Sequence, residues 1–96
     1  MSEALATQAK SQIRVTVIGQ EADEETVKVN THQHCAHLLR EGLKALYGKP
    51  GPNPDEYDLV LGGRIVDPLS QTIAEAGIAE GASVSILPKT ISRGGR

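Results

Sequence analysis

Only one stretch of this chain keeps a sustained helical period, and it lies between runs that alternate. In HCAHLLREGLKALYG, Cys35, Leu38, Leu39, Leu43 and Leu46 recur three and four residues apart, which places them on one stripe of a helix. Thr31 is placed to cap its start, and Gly48 to stop it. A single apolar stripe needs a single apolar surface to lie on. The rest of the chain must therefore supply a sheet with one buried face.

The flanking runs supply it. Ile13, Val15 and Val17 alternate with Arg14 and Thr16, the period of a half-buried strand over residues 13–18. Gly19 and Gln20 open a turn, and Glu21, Asp23, Glu24 and Glu25 make it a solvated acidic loop. Residues 26–30 alternate again with Val27 and Val29 inward, which completes a hairpin. After the helix, Pro50, Pro52 and Pro54 keep KPGPNPDE extended as a surface connector. Asp58 to Leu61 reads as a third strand, with Leu59 and Leu61 on one face and Val60 on the other. Gly62-Gly63 turns the chain into a short strand over 64–66, ended by Asp67-Pro68. Ile73 and Ile78 anchor a compact loop, and Gly81-Ala82 leads into a last strand over 83–87 with Val84 and Ile86 inward. The result is a two-layer α+β domain over 13–87. Residues 1–12 form a flexible N-terminal arm and residues 88–96 a flexible C-terminal tail.

Composition removes several classes of function. Trp and Phe are absent and Tyr47 and Tyr57 are the only aromatics, so there is no stacking platform for single-stranded nucleic acid. A net charge of -2 does not suit a polyanion binder. Cys35 is the one cysteine, which rules out an internal disulfide and points to a reducing, cytoplasmic compartment. No apolar run reaches the roughly 20 residues of a membrane helix. The first residues lack the basic start and apolar stretch of a signal peptide. Neither a nucleic-acid nor a membrane partner is expected.

His32, His34, Cys35 and His37 fall within six residues and are all zinc-ligand types. No second ligand pair appears elsewhere, and Cys35 fits the apolar stripe with Leu39. The cluster therefore reads as a buried thiol flanked by exposed histidines, with no metal and no catalytic cysteine, which would need an exposed electropositive niche. The three histidines imply pH-dependent behaviour at the start of the helix.

The element order resembles ubiquitin and its relatives, the β-grasp fold: a mixed sheet of four to five strands with one main helix packed across it. The likeness rests on PDEYDLVLGGRIVD, on TIAEAGIAEGASVSILP and on RGG near the end, and covers roughly residues 13–95. Pro54-Asp55, Gly62-Gly63-Arg64 and Thr72-Ile73 fall where the family has corresponding residues. The register holds over Leu59, Val66, Ile73, Ile78, Val84 and Ile86. The KPGPN connector is longer than in ubiquitin, and the arm before Ile13 is extra.

This resemblance implies a protein modifier that is a substrate of enzymes and not itself an enzyme, with no cofactor. The reacting group is the carboxylate of Gly95, with Gly94 giving clearance in a narrow active-site channel. Arg96 follows Gly95, so the resemblance implies a precursor cut between them by a peptidase. The partners implied are that processing and deconjugating peptidase, an activating (adenylating) enzyme, a thiol-carrying conjugating enzyme and target proteins. Arg93 and Lys89 steer the tail by charge. Val60 and Leu87 match two corners of the family's partner-binding patch, whose third corner falls on the acidic hairpin loop. Ile91 replaces a basic residue that ubiquitin uses in choosing its activating enzyme, which implies a dedicated one. Two main chain-linkage lysines of ubiquitin fall on Arg64 and Glu80, which cannot accept an acyl group. Attachment of single copies, or linkage through Lys10, is the expectation. The alternatives are a sulfur carrier with a Gly95 thiocarboxylate and a binding-only ubiquitin-like domain. The alanine- and glycine-rich make-up points to a prokaryotic system.

Overall fold

The computed structural model describes residues 11–48 and 52–93. Strands β1 (Gln12–Ile18) and β2 (Glu24–Asn30) form the predicted hairpin. Helix α1 (Cys35–Tyr47) follows, then a 3-10 turn (Pro54–Glu56), β3 (Tyr57–Leu61), β4 (Arg64–Ile65), β5 (Ser83–Pro88) and a second, one-turn helix α2 (Lys89–Ser92). The strands form one five-stranded sheet in the order β2-β1-β5-β3-β4. β1 and β5 run parallel at its centre, and the other pairs are antiparallel. The sheet is therefore mixed, with one main helix across it, which is the ubiquitin-like β-grasp.

The alternating strands put Ile13, Val15, Val17, Leu59, Val84 and Ile86 on the face that α1 covers. Leu38, Leu39, Leu43 and Cys35 close over them from the helix. Ile73 and Ile78, at 0% and 2% exposure, carry the 66–82 loop into the same core. Gly42 sits where α1 comes closest to the sheet. A Cβ there would stand 2.4 Å from Ile86 Cδ1 and 3.2 Å from Val17 Cγ1.

Three local expectations are corrected. The acidic loop is shorter than its four acids imply. Glu24 and Glu25 belong to β2, opposite Ile18 and Val17, and the turn spans only Gly19 to Asp23. β2 is an edge strand, where exposed charge is tolerated and discourages pairing with another chain. Thr31 does not cap α1. The N-cap is His34, whose side chain makes no capping bond. The amides of Cys35 and Ala36 donate instead to the carbonyls of Gln71 and Leu69, at 2.8 and 3.0 Å. The 66–82 loop thus supplies acceptors that a capping side chain otherwise provides.

The third correction concerns the ends. Gln12 is part of β1, and Ser11 accepts a bond from the Thr31 amide, so these two residues belong to the body and not to an arm. At the other end, Pro88 closes β5 opposite Tyr57, and Lys89–Ser92 is helical. The free tail expected from residue 88 is thus occupied by structure as far as Arg93. The rest of the expected arm, residues 1–10, and Gly94, Gly95 and Arg96 lie outside the described residues.

Candidate functional site

The C-terminal segment meets the sheet on the face away from α1. In β3, Leu59 points into the core, so Asp58 and Val60 point outward. Asp58 pairs with Leu87 and Val60 with Ser85, which puts Asp58, Val60, Ser85 and Leu87 together on that outer face. The structure therefore joins the two patch residues Val60 and Leu87 on one surface, diagonal to each other. Both are half-buried.

Asp58 is the residue that sequence reasoning missed. It is the only buried polar or charged residue among those described, at 2% exposure. Helix α2 packs back against β3 and β5, and the two residues at its C-terminal end serve this carboxylate. Arg93 Nε donates to Oδ2 and Arg93 Nη2 to Oδ1, both at 2.9 Å, a two-pronged charged pair. The Ser92 hydroxyl donates a very short bond to Oδ2. The Arg93 hydrogen bond holds the Asp58 carboxyl below its ordinary range, against the opposing effect of burial, with Ser92 and the Lys89 charge assisting. The same pairing raises Arg93 further above its already high value. The only sequence hint was an acid on the outward register of a strand, and its partner lies 35 residues away.

Arg93 is thus engaged with the body and is not a free steering charge, and this differs from the expectation. Its side chain remains half-exposed, against 3% for Asp58. Lys89 is exposed. Ile91, at the position where ubiquitin is basic, is 53% exposed on α2. Arg64 is exposed beyond the Gly62-Gly63 turn, and Glu80 is exposed and paired with Arg14 at 3.1 Å. Lys10 and Lys49 lie outside the described residues.

The histidine cluster comes apart in space. His32 and His34 are exposed and His37 is half-buried. Among the described residues, no group of three or more His, Cys, Asp and Glu side chains is placed to hold a metal ion. Cys35 is fully buried, with Sγ 3.6 Å from the Thr72 carbonyl oxygen. Burial raises its thiol above the ordinary value, and the charge of Glu75 adds to the rise. At neutral pH it is a protonated core side chain, not a nucleophile. No helix among the described residues is long and apolar enough to cross a membrane.

Comparison with solved structures gives the same fold from outside. A protein designed de novo on ubiquitin matches with a TM-score of 0.68 at 22% identity, over 83% of this chain and 92% of its own. An Arabidopsis thaliana protein matches with a TM-score of 0.68 at 22% identity, over 86% and 93%. The ubiquitin of Caldiarchaeum subterraneum matches with a TM-score of 0.66 at 16% identity, over 83% and 96%. At these identities the likeness is one of fold: the chain has the ubiquitin-like β-grasp fold. No protein-family model matches the chain, and no curated protein matches it.

Proposed function

We propose that this ubiquitin-like domain is a protein modifier whose reacting group is the carboxylate of Gly95. The observation that carries the reading is the junction of body and sequence. A β-grasp body ends its central strand at Pro88, and Arg93-Gly94-Gly95 follows within seven residues. The chemistry runs in four balanced steps. Water cleaves the Gly95–Arg96 peptide bond in a peptidase. The freed carboxylate attacks ATP in an activating enzyme, giving an acyl-adenylate and pyrophosphate. A thiol then displaces AMP to form a thioester. Finally a target amine displaces the thiol and leaves an amide. The chain is acted on throughout and performs no catalysis itself. Gly94 and Gly95 have no side chains to obstruct a narrow channel. Val60 and Leu87 offer partners an aliphatic surface beside the root of the tail.

Intact mass and peptide mapping of the protein from its native host test this reading. The expected result is a form ending at Gly95, with heavier species in which Gly95 is amide-linked to lysine. Gly95→Ala should abolish the adducts while leaving the fold intact. Sulfur in place of oxygen at Gly95 would replace the modifier with a sulfur carrier. A Gly95–Arg96 bond that is never cut, with no adducts, would leave a domain that acts by binding alone.

A further inference from the structure

The C-terminal segment is tied down at the residue before its two glycines, and the reach of those glycines depends on that tie. With Arg93 held on Asp58, the free length before Gly95 is only two residues, a reach of at most about 7 Å beyond the Arg93 backbone. With Arg93 released and α2 unwound, the free length starts at Pro88. Seven residues then span up to about 23–25 Å. An enzyme that must draw the terminus into a recessed active site is served by the second state and not the first. One feature favours the closed state. Asp58 is buried on the outer face, and its two oxygens are taken by Arg93 and Ser92 alone among the described residues. A buried carboxylate stripped of such partners is costly. Helix α2, by contrast, has one turn, no buried residue and no side-chain cap, so little else holds the segment down.

We propose that the Arg93–Asp58 pair is a latch that docks the root of the C-terminal segment on the outer face of the sheet, and that any enzyme taking this segment in extended form must first open it. As a statement about Gly95 activation, this rests on the modifier reading. As a statement about access to Arg93 and the residues after it, it stands by itself. The latch also places control of the terminus on β3, at a residue whose side chain is distant in sequence from the reacting group.

An arginine-specific endoprotease tests it without any modifier enzyme. Cleavage after Arg93 requires that side chain to leave Asp58 and enter the protease, so the rate follows the open population. Asp58→Asn should raise cleavage at Arg93 by about tenfold or more, with cleavage at Arg40 on α1 unchanged. Equal rates at Arg93 in the two proteins would overturn the proposal. If cleavage at Arg40 rises in step, Asp58→Asn has loosened the whole fold, and Arg93→Gln decides. That variant removes a half-exposed side chain and leaves the core alone. Amide hydrogen exchange at Ser92 and position 93 should accelerate in it by about tenfold, and unchanged exchange would overturn the latch. The last arm uses chains ending at Gly95 with their ATP-dependent activating enzyme. Asp58→Asn should lower the KM for adenylation, and equal KM values would overturn gating. If neither chain is adenylated, the modifier reading fails, and the protease and exchange rates still decide the latch.

Discussion

Replacing Gly42 by alanine sets two well-characterised effects against each other, and the structure says which wins. Gly42 lies in the middle of α1, where alanine is intrinsically better than glycine by about 0.8–1.0 kcal/mol. By propensity alone the substitution stabilises. The new methyl, however, would stand 2.4 Å from Ile86 Cδ1 and 3.2 Å from Val17 Cγ1. Carbon atoms prefer about 3.5–4.0 Å. Ile86 and Val17 are each 0% exposed, so neither has solvent to retreat into. Overpacking of this kind costs about 1–3 kcal/mol, and the 2.4 Å approach places it toward the upper end. The net expectation is a loss of about 1–2 kcal/mol, seen as a fall in Tm of about 4–16 °C for a domain of this size. Thermal and urea unfolding of wild type, Gly42→Ala, Ile86→Val and the double variant measure it. Ile86→Val alone should cost about 0.5–1.5 kcal/mol. Because it removes the Cδ1 in the way, the double variant should be more stable than the sum of the single losses by at least about 0.5 kcal/mol. A Gly42→Ala protein as stable as wild type, or an additive double variant, would refute the packing account.

Asp58 gives a pH signature. Its native carboxyl is held below its ordinary range, so the unfolded chain takes up the proton first as pH falls. Its contribution to stability is full above the unfolded value of about 3.9 and is lost as pH drops through the lower native value. The stability gap between wild type and Asp58→Asn, measured by urea unfolding at a series of pH values, should be widest near neutrality and close in acid. A gap that is constant with pH would show that the charge of Asp58 contributes nothing. Cys35 should react with a disulfide reagent at pH 8 far more slowly than a free thiol, and only by way of opening, because it is buried and its thiol is raised. A rate equal to that of a model thiol would mean that the start of α1 opens readily. Val60→Ser with Leu87→Ser, on the half-buried outer face, should lower Tm less than Leu59→Ala, which empties a fully buried site.

The body of the fold was legible because its periods are clean. Ile13, Val15 and Val17 alternate without interruption, and the five-residue stripe of α1 matches no other structure. Glu24 and Glu25 misled because acids read as loop, while an edge strand carries them at no cost. Thr31 misled because capping chemistry is usually local. Here the acceptors for the first turn come from Leu69 and Gln71, in a loop with no period to announce where it passes. Asp58–Arg93 was hidden for the same reason in sharper form. Each residue is unremarkable in its own window, and only the pairing of β3 with β5 brings them together. Short-range rules describe elements. The contacts that tie a segment's end to a distant strand belong to the assembled topology, and the candidate site is made of such contacts.

The position of β5 has a consequence for how the protein is born. This strand is last in sequence among the five but sits at the centre of the sheet, parallel to β1 and bonded to β3 on its other side. Until Ser83 to Pro88 has been synthesised, the hairpin and the β3–β4 pair have no strand between them, and the sheet is two separate pieces. Native pairing between the chain's two extremes must therefore close late, since long-range parallel pairing has to wait for the whole intervening loop. A ribosome product cut short before Ser83 would lack its middle strand and would remain open to proteases.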